Sequence, residues 1–587
     1  MRNFLKYTLA TIVGVLIAGI IGFFLLIGLF SAIISLSDKP VVVEENSVLL
    51  LDFKKAIVER AVDNPFDSFA VPYMGSTGQM GLDDILECIE KAKTDDNIRG
   101  IYLNPGMIRA GMASLEEIRH ALLDFKESGK FIYAYGDAFS QKAYYLVSVA
   151  DKVALNPQGM LELQGLSANR MFFKHALEKI GVEMQVVRHG QFKAAVEPYM
   201  LDKMSEANKL QTKTYLNSIW SQMVEAIAES RKLSPEQINQ IADSVALFMP
   251  AEELTAKGLI DTLIYKDELI NELKQLTGIA EKDDVPAIGV EKYAKVPAAK
   301  AGKFVREKIA VIYAEGEIDG TDTDGIKSDK LSRTIREARR DSSIKAIVLR
   351  VNSPGGSAYG SEVIWREVKL ASETKPLIVS MGDVAASGGY YIAAAADTIM
   401  ADRTTITGSI GIFGVIPNYG ELLNDKLGIT TDAVGTNANS DLLATSRPMT
   451  RFERMKLQSY IERGYDTFIG RVAEGRSITK EQVDEVGQGR VWASTDAKER
   501  SLVDLYGGVN DAIKLAAQMA KLENYRITKL PKLPDPLEEL VKELTGEAKS
   551  FFMQKELGDQ YKIYQQLKAT ANTKGILARM PYDITFE

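Results

Sequence analysis

"GDVAASGGYYIAAAAD", residues 382–397, is a second writing of "GDAFSQKAYYLVSVAD", residues 136–151, and the two lie 246 residues apart. The same spacing relates "SIKAIVLRVNSPGG", from Ser343, to "NIRGIYLNPG", from Asn97. Further on, "KLGI" at Lys426 answers "KIGV" at Lys179, and "KLQ" at Lys456 answers "KLQ" at Lys209, now at a spacing of 247. An offset this constant over so long a stretch marks two copies of one domain, not a solenoid of short repeats. The copies are expected at residues 47–276 and 308–522. Between them, 277–307 contains "KDDVPAIGVEKYAKVPAAKAGK", whose Ala, Pro and Lys content reads as a linker. The tail, 523–587, carries "PLEELVKELTGEAKSFFMQKELGDQYKIYQQL", the pattern of one or two amphipathic helices.

Within each copy, short β-branched runs alternate with longer helical patterns. In the second, "KIAVIYAEG", "KAIVLRV" and "PLIVSMG" read as buried strands, and "LSRTIREARRD" and "SEVIWREVKLAS" as amphipathic helices. The fold class is therefore α/β with largely parallel strands, where sites form at the carboxyl ends of strands. Two loops fall there: "NSPGGS" after "KAIVLRV", and "GDVAASGG" after "PLIVSMG".

Composition narrows the function classes. The chain has 587 residues and a net charge of −8 with no long basic run, so the electrostatic footprint of a nucleic-acid binder is missing. A single cysteine, Cys88, excludes an internal disulfide framework, and three histidines make a histidine-built metal site a poor expectation. No cofactor is called for. The amino terminus differs from the rest: from Tyr7 to Ser37 no residue is charged, longer than the roughly 20 apolar residues that cross a bilayer core. The run is also too long for the apolar core of a cleavable signal peptide, so residues 7–37 are expected to be an uncleaved transmembrane anchor. Arg2 and Lys6 before it favour a cytoplasmic amino terminus, which places everything after Asp38 on the far side.

The candidate chemistry lies in the two loops. Gly355 and Gly356 lack a Cβ and let backbone N–H groups approach a bound carbonyl, although Pro-Gly-Gly is also an ordinary turn. Ser387 stands at the start of an apolar helix, where it reads equally as a cap or as a nucleophile with the Gly388 N–H beside it. The first copy has Gln141 and Lys142 at these two places. Further on, "VVRHGQFKAAVEPYM" lies opposite "AVGTNANSDLLATSR", so that Lys193 falls on Ser440. One copy offers a serine and the other a lysine, as if one Ser/Lys site had been divided between them. A solvated surface lysine and a base for Ser387 are both open readings of Lys193, and His189, four residues earlier, is a rival base.

"NSPGGS", "GDVAASGGYYIAAAAD", "TGSIGIFG" and "GQFKAAVEPYM", with the duplication and the anchor, resemble the long, tandem-domain form of the bacterial signal peptide peptidase A family, Ser/Lys proteases of the Clp-protease and crotonase superfamily. The resemblance covers nearly the whole chain after the anchor. It implies two Clp-protease/crotonase-like domains, with Ser387 as nucleophile, Lys193 as general base from the first domain, and Ser409 of "TGSIG" as the hydroxyl that hydrogen-bonds the lysine amine. It implies Gly355 or Gly356, with Gly388, as oxyanion-hole donors. It also implies apolar signal-peptide remnants as substrates, a homo-oligomer, typically a tetramer, and a catalytic part on the extracytoplasmic side of a bacterial inner membrane. Two rivals share the fold: a crotonase-like enzyme acting on an acyl thioester, which needs no nucleophilic serine, and a non-catalytic membrane scaffold.

Overall fold

The computed structural model describes residues 41–62, 78–297, 305–320, 325–533 and 575–580, with a few helical positions between 6 and 22. Most of the expected anchor, 7–37, and the expected helical stretch after Pro531 lie outside the described residues. Among the described residues no helix is long and apolar enough to cross a membrane.

Two parallel sheets repeat one plan. The first runs in the order Thr262–Leu263, Lys152–Leu161, Phe131–Phe139, Ile98–Asn104, Ser47–Asp52, Ala287–Gly289. In the second, Leu377–Ala386, Ile344–Ser353, Lys308–Glu315 and Arg526–Leu530 follow one another in parallel. Thr398–Ala401 flanks Leu377–Ala386 and carries Leu505–Tyr506. The central strands, such as Lys308–Glu315, Ile344–Ser353 and Leu377–Ala386, are largely buried on both faces, which is why they read as continuous apolar runs and not as alternating ones.

The duplication extends to single hydrogen bonds. Asp151 accepts from the Ile132 N–H and Asp397 from the Leu377 N–H, each at 2.8 Å. Tyr144 donates to the Leu259 carbonyl and Tyr390 to the Leu502 carbonyl, at 2.8 and 2.9 Å. The matching tyrosines and aspartates in the two quoted segments therefore perform the same packing tasks in both halves.

Two stretches differ from their expected form. The linker 277–307 adds an edge strand, Ala287–Gly289, to the first sheet, and the tail 523–587 opens with Arg526–Leu530 on the edge of the second. Each edge is short or polar, and parallel pairing of this kind is set by partners hundreds of residues away, so local periodicity does not reveal it.

The halves are joined in three ways. Buried apolar residues run without a break from Leu49, Ile101 and Val153 of the first half to Val311, Val348 and Ile378 of the second. A four-stranded antiparallel sheet crosses the junction in the order Gly355–Ser357, Gly575–Arg579, Phe413–Asn418, Glu183–Arg188. Finally, Arg350, fully buried, donates to Glu59 at 2.8 Å, to Glu117 at 2.5 Å and to Ser380 Oγ at 2.9 Å. Asp383 in turn accepts from the N–H and hydroxyl of Ser114 at 2.9 and 2.8 Å. Glu59 and Glu117 come from the first half and Arg350 from the second, and the two carboxylates hold the guanidinium charged well above its ordinary range against the cost of burial.

Removing one partner of a buried ion pair strands the other without compensation, at about 3–5 kcal/mol. Arg350→Met is therefore expected to lower the urea midpoint of the full chain. Unchanged stability would show that the ion cluster does not hold the halves together.

Candidate active site

Ser387 follows directly on the strand Leu377–Ala386, whose end is flanked by Ser353 on one side and by Ile406–Gly408 on the other. Its N–H donates to the Gly408 carbonyl at 2.8 Å, and its own carbonyl accepts from Tyr391 at 2.8 Å to open the helix Gly388–Ala393. It occupies the cap position, yet its hydroxyl caps nothing. Its backbone sits at φ 54°, ψ −115°. A non-glycine residue held there costs roughly 1–3 kcal/mol, strain that the surrounding bonds impose in order to turn the side chain elsewhere.

That direction is toward Lys193. Lys193 Nζ lies 2.8 Å from Ser387 Oγ, 2.9 Å from the Ser409 carbonyl oxygen and 3.0 Å from Ser409 Oγ. Lysine and both serines are fully buried. No acidic partner contributes to the lysine's titration, and burial alone pushes its pKa well below the ordinary value. The Ser409 carbonyl can only accept, so it takes an amine N–H and leaves the nitrogen lone pair for a hydroxyl. A serine hydroxyl is a weak nucleophile until a base removes its proton, and lysine is a base only when neutral. Burial shifts Lys193 toward that condition.

A separation of 194 residues is bridged by local pairing. The strand Glu183–Arg188 lies antiparallel to Phe413–Asn418, with Arg188 opposite Phe413. The chain after Arg188 therefore runs past Ser409–Ile412, and the His189 N–H donates to the Ile412 carbonyl at 3.2 Å. Phe192 donates to the Gln488 carbonyl at 3.0 Å, while Gln211 ties the Phe192 carbonyl to the Val491 N–H at 3.1 Å on each side. Two glycines make room for the lysine: a β-carbon on Gly489 would stand 2.6 Å from Lys193 Cβ, and one on Gly411 would stand 3.2 Å from Lys193 Cδ. Neither glycine nor Gln211 stood out in the sequence, because their purpose is set by a residue from the other half. The rival base, His189, stacks on the Tyr465 ring at 3.9 Å instead.

The glycine turn closes over the same point. Gly355 and Gly356 have φ of 98° and 151°, conformations that favour glycine. A β-carbon on Gly355 would stand 2.6 Å from the Gly388 nitrogen, so the turn and the start of the helix touch. The Gly355 N–H donates to Ser353 Oγ at 3.2 Å and is thereby engaged within its own loop.

The equivalent places in the first half are filled. Gln141 Oε1 accepts from the N–H groups of Gln164 and Gly165 at 3.0 Å each, and Lys142 donates to the Ala110 carbonyl at 2.9 Å. Ser440, opposite Lys193 in the repeat, sits in an exposed turn with Asn437.

The chain has relatives among known proteins. The model of Peptidase family S49 matches residues 124–280 and 369–523, one stretch in each half. "Protease 4" of Salmonella typhi is 36% identical over 524 residues, which cover 86% of this chain and 83% of that protein. "Serine protease SPPA, chloroplastic" of Arabidopsis thaliana is 33% identical over 509 residues, 85% of this chain and 74% of that one. Among solved structures, ClpP1 from Listeria monocytogenes aligns with 34% of this chain and 92% of its own at a TM-score of 0.23 and 15% identity. The protein is a serine protease. It belongs to peptidase family S49, and the acyl-thioester and scaffold readings fall with that assignment.

Proposed function

We propose that this protease is a membrane-anchored endopeptidase in which Ser387 and Lys193 form a nucleophile–base dyad that hydrolyses apolar, extended peptides, above all remnants of cleaved signal peptides. The observation that carries the reading is the 2.8 Å approach of a buried, uncompensated lysine to a strained serine. Lys193 takes the Ser387 proton as Oγ attacks the scissile carbonyl, returns it to the leaving amine, and then draws a proton from the water that hydrolyses the ester. Ser409 holds the amine in line. With Gly355 engaged by Ser353, the oxyanion falls to the N–H groups of Gly356 and Gly388, where loss of one such donor costs about a hundredfold or more in rate. Residues 47–276 and 308–522 then act as two domains that are each incomplete alone. Residues 7–37 tether the site at the extracytoplasmic face of a bacterial inner membrane, and a homo-oligomer, a tetramer by family resemblance, shields it from folded proteins.

The substrate class is tested with the detergent-solubilised full chain, a synthetic signal peptide and a polar peptide of equal length. The signal peptide is expected to be cut with kcat/KM about tenfold higher or more. Equal rates on both would remove the signal-peptide assignment while leaving the dyad standing.

A further inference from the structure

One buried carboxylate at the junction of the halves has no partner. Asp402 follows the strand Thr398–Ala401 and is 1% exposed, yet neither of its carboxylate oxygens accepts a hydrogen bond among the described residues. A buried acid in that state calls for a cation, a proton or a ligand, since desolvation is otherwise uncompensated. Arg350 is nearby, but its guanidinium donates to Glu59, Glu117, Ser380 and the Met381 carbonyl and gives nothing to Asp402. Arg403, the next residue, is turned onto the Tyr506 ring, 4.4 Å from its centre. Glu116, Glu117 and Asp383, which also face Asp402, carry its own sign.

Two further donors come from the first half. Glu116 and His120 stand four residues apart on the helix Met112–Lys126 and therefore share a face. One oxygen from each acid and one ring nitrogen of His120 lie within 4.8 Å of one another. Glu116 is buried and already oriented: it accepts from the Arg403 N–H at 3.2 Å and from the N–H and hydroxyl of Thr404 at 2.9 and 2.7 Å. Bonds of this kind hold a ligating carboxylate from behind. His120 is exposed and lines a cleft of about 220 Å³, where Glu90, Asp124 and Asp511 outnumber Lys514. A hydrated cation thus has a negatively charged way in.

We propose that Glu116, His120 and Asp402 bind one zinc ion that ties the helix of the first half to the strand end of the second. An imidazole nitrogen with two carboxylate oxygens suits zinc, with water in the fourth position, whereas magnesium and calcium favour oxygen ligands. The ion supplies the positive charge that Asp402 lacks. It needs just one of the chain's three histidines, so a composition poor in histidine does not exclude it. The site stands apart from the dyad: from Asp402 the chain runs on to Ile406–Gly408, whose last carbonyl accepts the Ser387 N–H. The ion braces the junction and does not touch substrate.

The test uses the untagged full chain in detergent, stripped of metal by a chelator and given zinc, magnesium or calcium. Bound metal is counted by elemental mass spectrometry, and the melting temperature is read on the same samples. Wild type is expected to hold one zinc per chain and to melt about 2 °C higher at a hundredfold excess over Kd, with no comparable gain from magnesium or calcium. His120→Ala, at an exposed position, and the isosteric Asp402→Asn are each expected to weaken zinc binding by about a hundredfold or more. The exposed His175, with Glu178 at 2.9 Å and Asp202 at 3.0 Å, is the place where adventitious zinc is expected, and His175→Ala is expected to leave both readings unchanged. A wild type that takes up no zinc overturns the proposal. So does zinc bound equally well by His120→Ala and Asp402→Asn, or lost with His175→Ala. Equal protection by magnesium or calcium overturns the assignment of the ion.

Discussion

Ser387→Ala is expected to reduce kcat for peptide hydrolysis by about 10⁶-fold, the scale seen when a serine nucleophile is removed from a unit that works as a whole. The structure gives reasons to expect a catalytic loss without unfolding. The hydroxyl caps no helix, and its partner is the Lys193 amine, so alanine forfeits no structural bond beyond that contact. The backbone strain at φ 54° is imposed by the Gly408 and Tyr391 bonds and stays with the new residue. Circular dichroism and the urea midpoint of the variant are expected to match wild type while turnover disappears. A variant that turns over normally would return Ser387 to being a turn residue with a chance neighbour.

Lys193→Met is also expected to be severe on activity and, unlike Ser387→Ala, to change stability. Among the described residues the Lys193 amine is the base that meets the Ser387 hydroxyl, while His189 is stacked on Tyr465, so kcat is expected to fall by about 10⁴-fold or more. Because the two residues act as a unit, the double variant is expected to be no worse than either single one. The pH dependence has a definite sign. Burial lowers the folded-state pKa of Lys193 while the unfolded chain keeps the ordinary value, so kcat/KM of wild type rises with pH as the buried amine loses its proton. The same shift makes the lysine a burden on the fold. Its stability cost is absent above the ordinary lysine pKa, grows as pH falls below it, and levels off at the lowered folded pKa. Lys193→Met, close in volume and free of that cost, is therefore expected to raise the melting temperature at neutral pH. A fall in melting temperature with activity retained would contradict both halves of the argument.

The candidate dyad was legible in the sequence because the chain carries its own comparison. A lone serine between alanines and glycines reads as a cap. Set against Gln141, with a lysine that the other copy lacks, it becomes half of a divided site. The central strands of the second sheet, Lys308–Glu315, Ile344–Ser353 and Leu377–Ala386, were legible because they are largely buried on both faces and short of polar residues. What escaped is what depends on contact across the junction. Glu59 and Glu117 lie 291 and 233 residues from the arginine they clamp, and nothing local marks them. Gly411 and Gly489 look like loop glycines until Lys193 is placed against them. The edge strands Ala287–Gly289 and Arg526–Leu530 are too short or too polar to show a period. "GILAR", near the end of a segment read as helical, forms a strand through the two edges that receive it.

The central claim is that a serine from one half is activated by a lysine from the other. Its most direct test is the rate at which a fluorophosphonate probe labels the full chain across pH, with the modified residue mapped by mass spectrometry in wild type and Lys193→Met. Labelling confined to Ser387, accelerating with pH in wild type and lost in Lys193→Met, is the expected result. Labelling of Ser387 at an undiminished rate in Lys193→Met, or of a different serine in wild type, would contradict it.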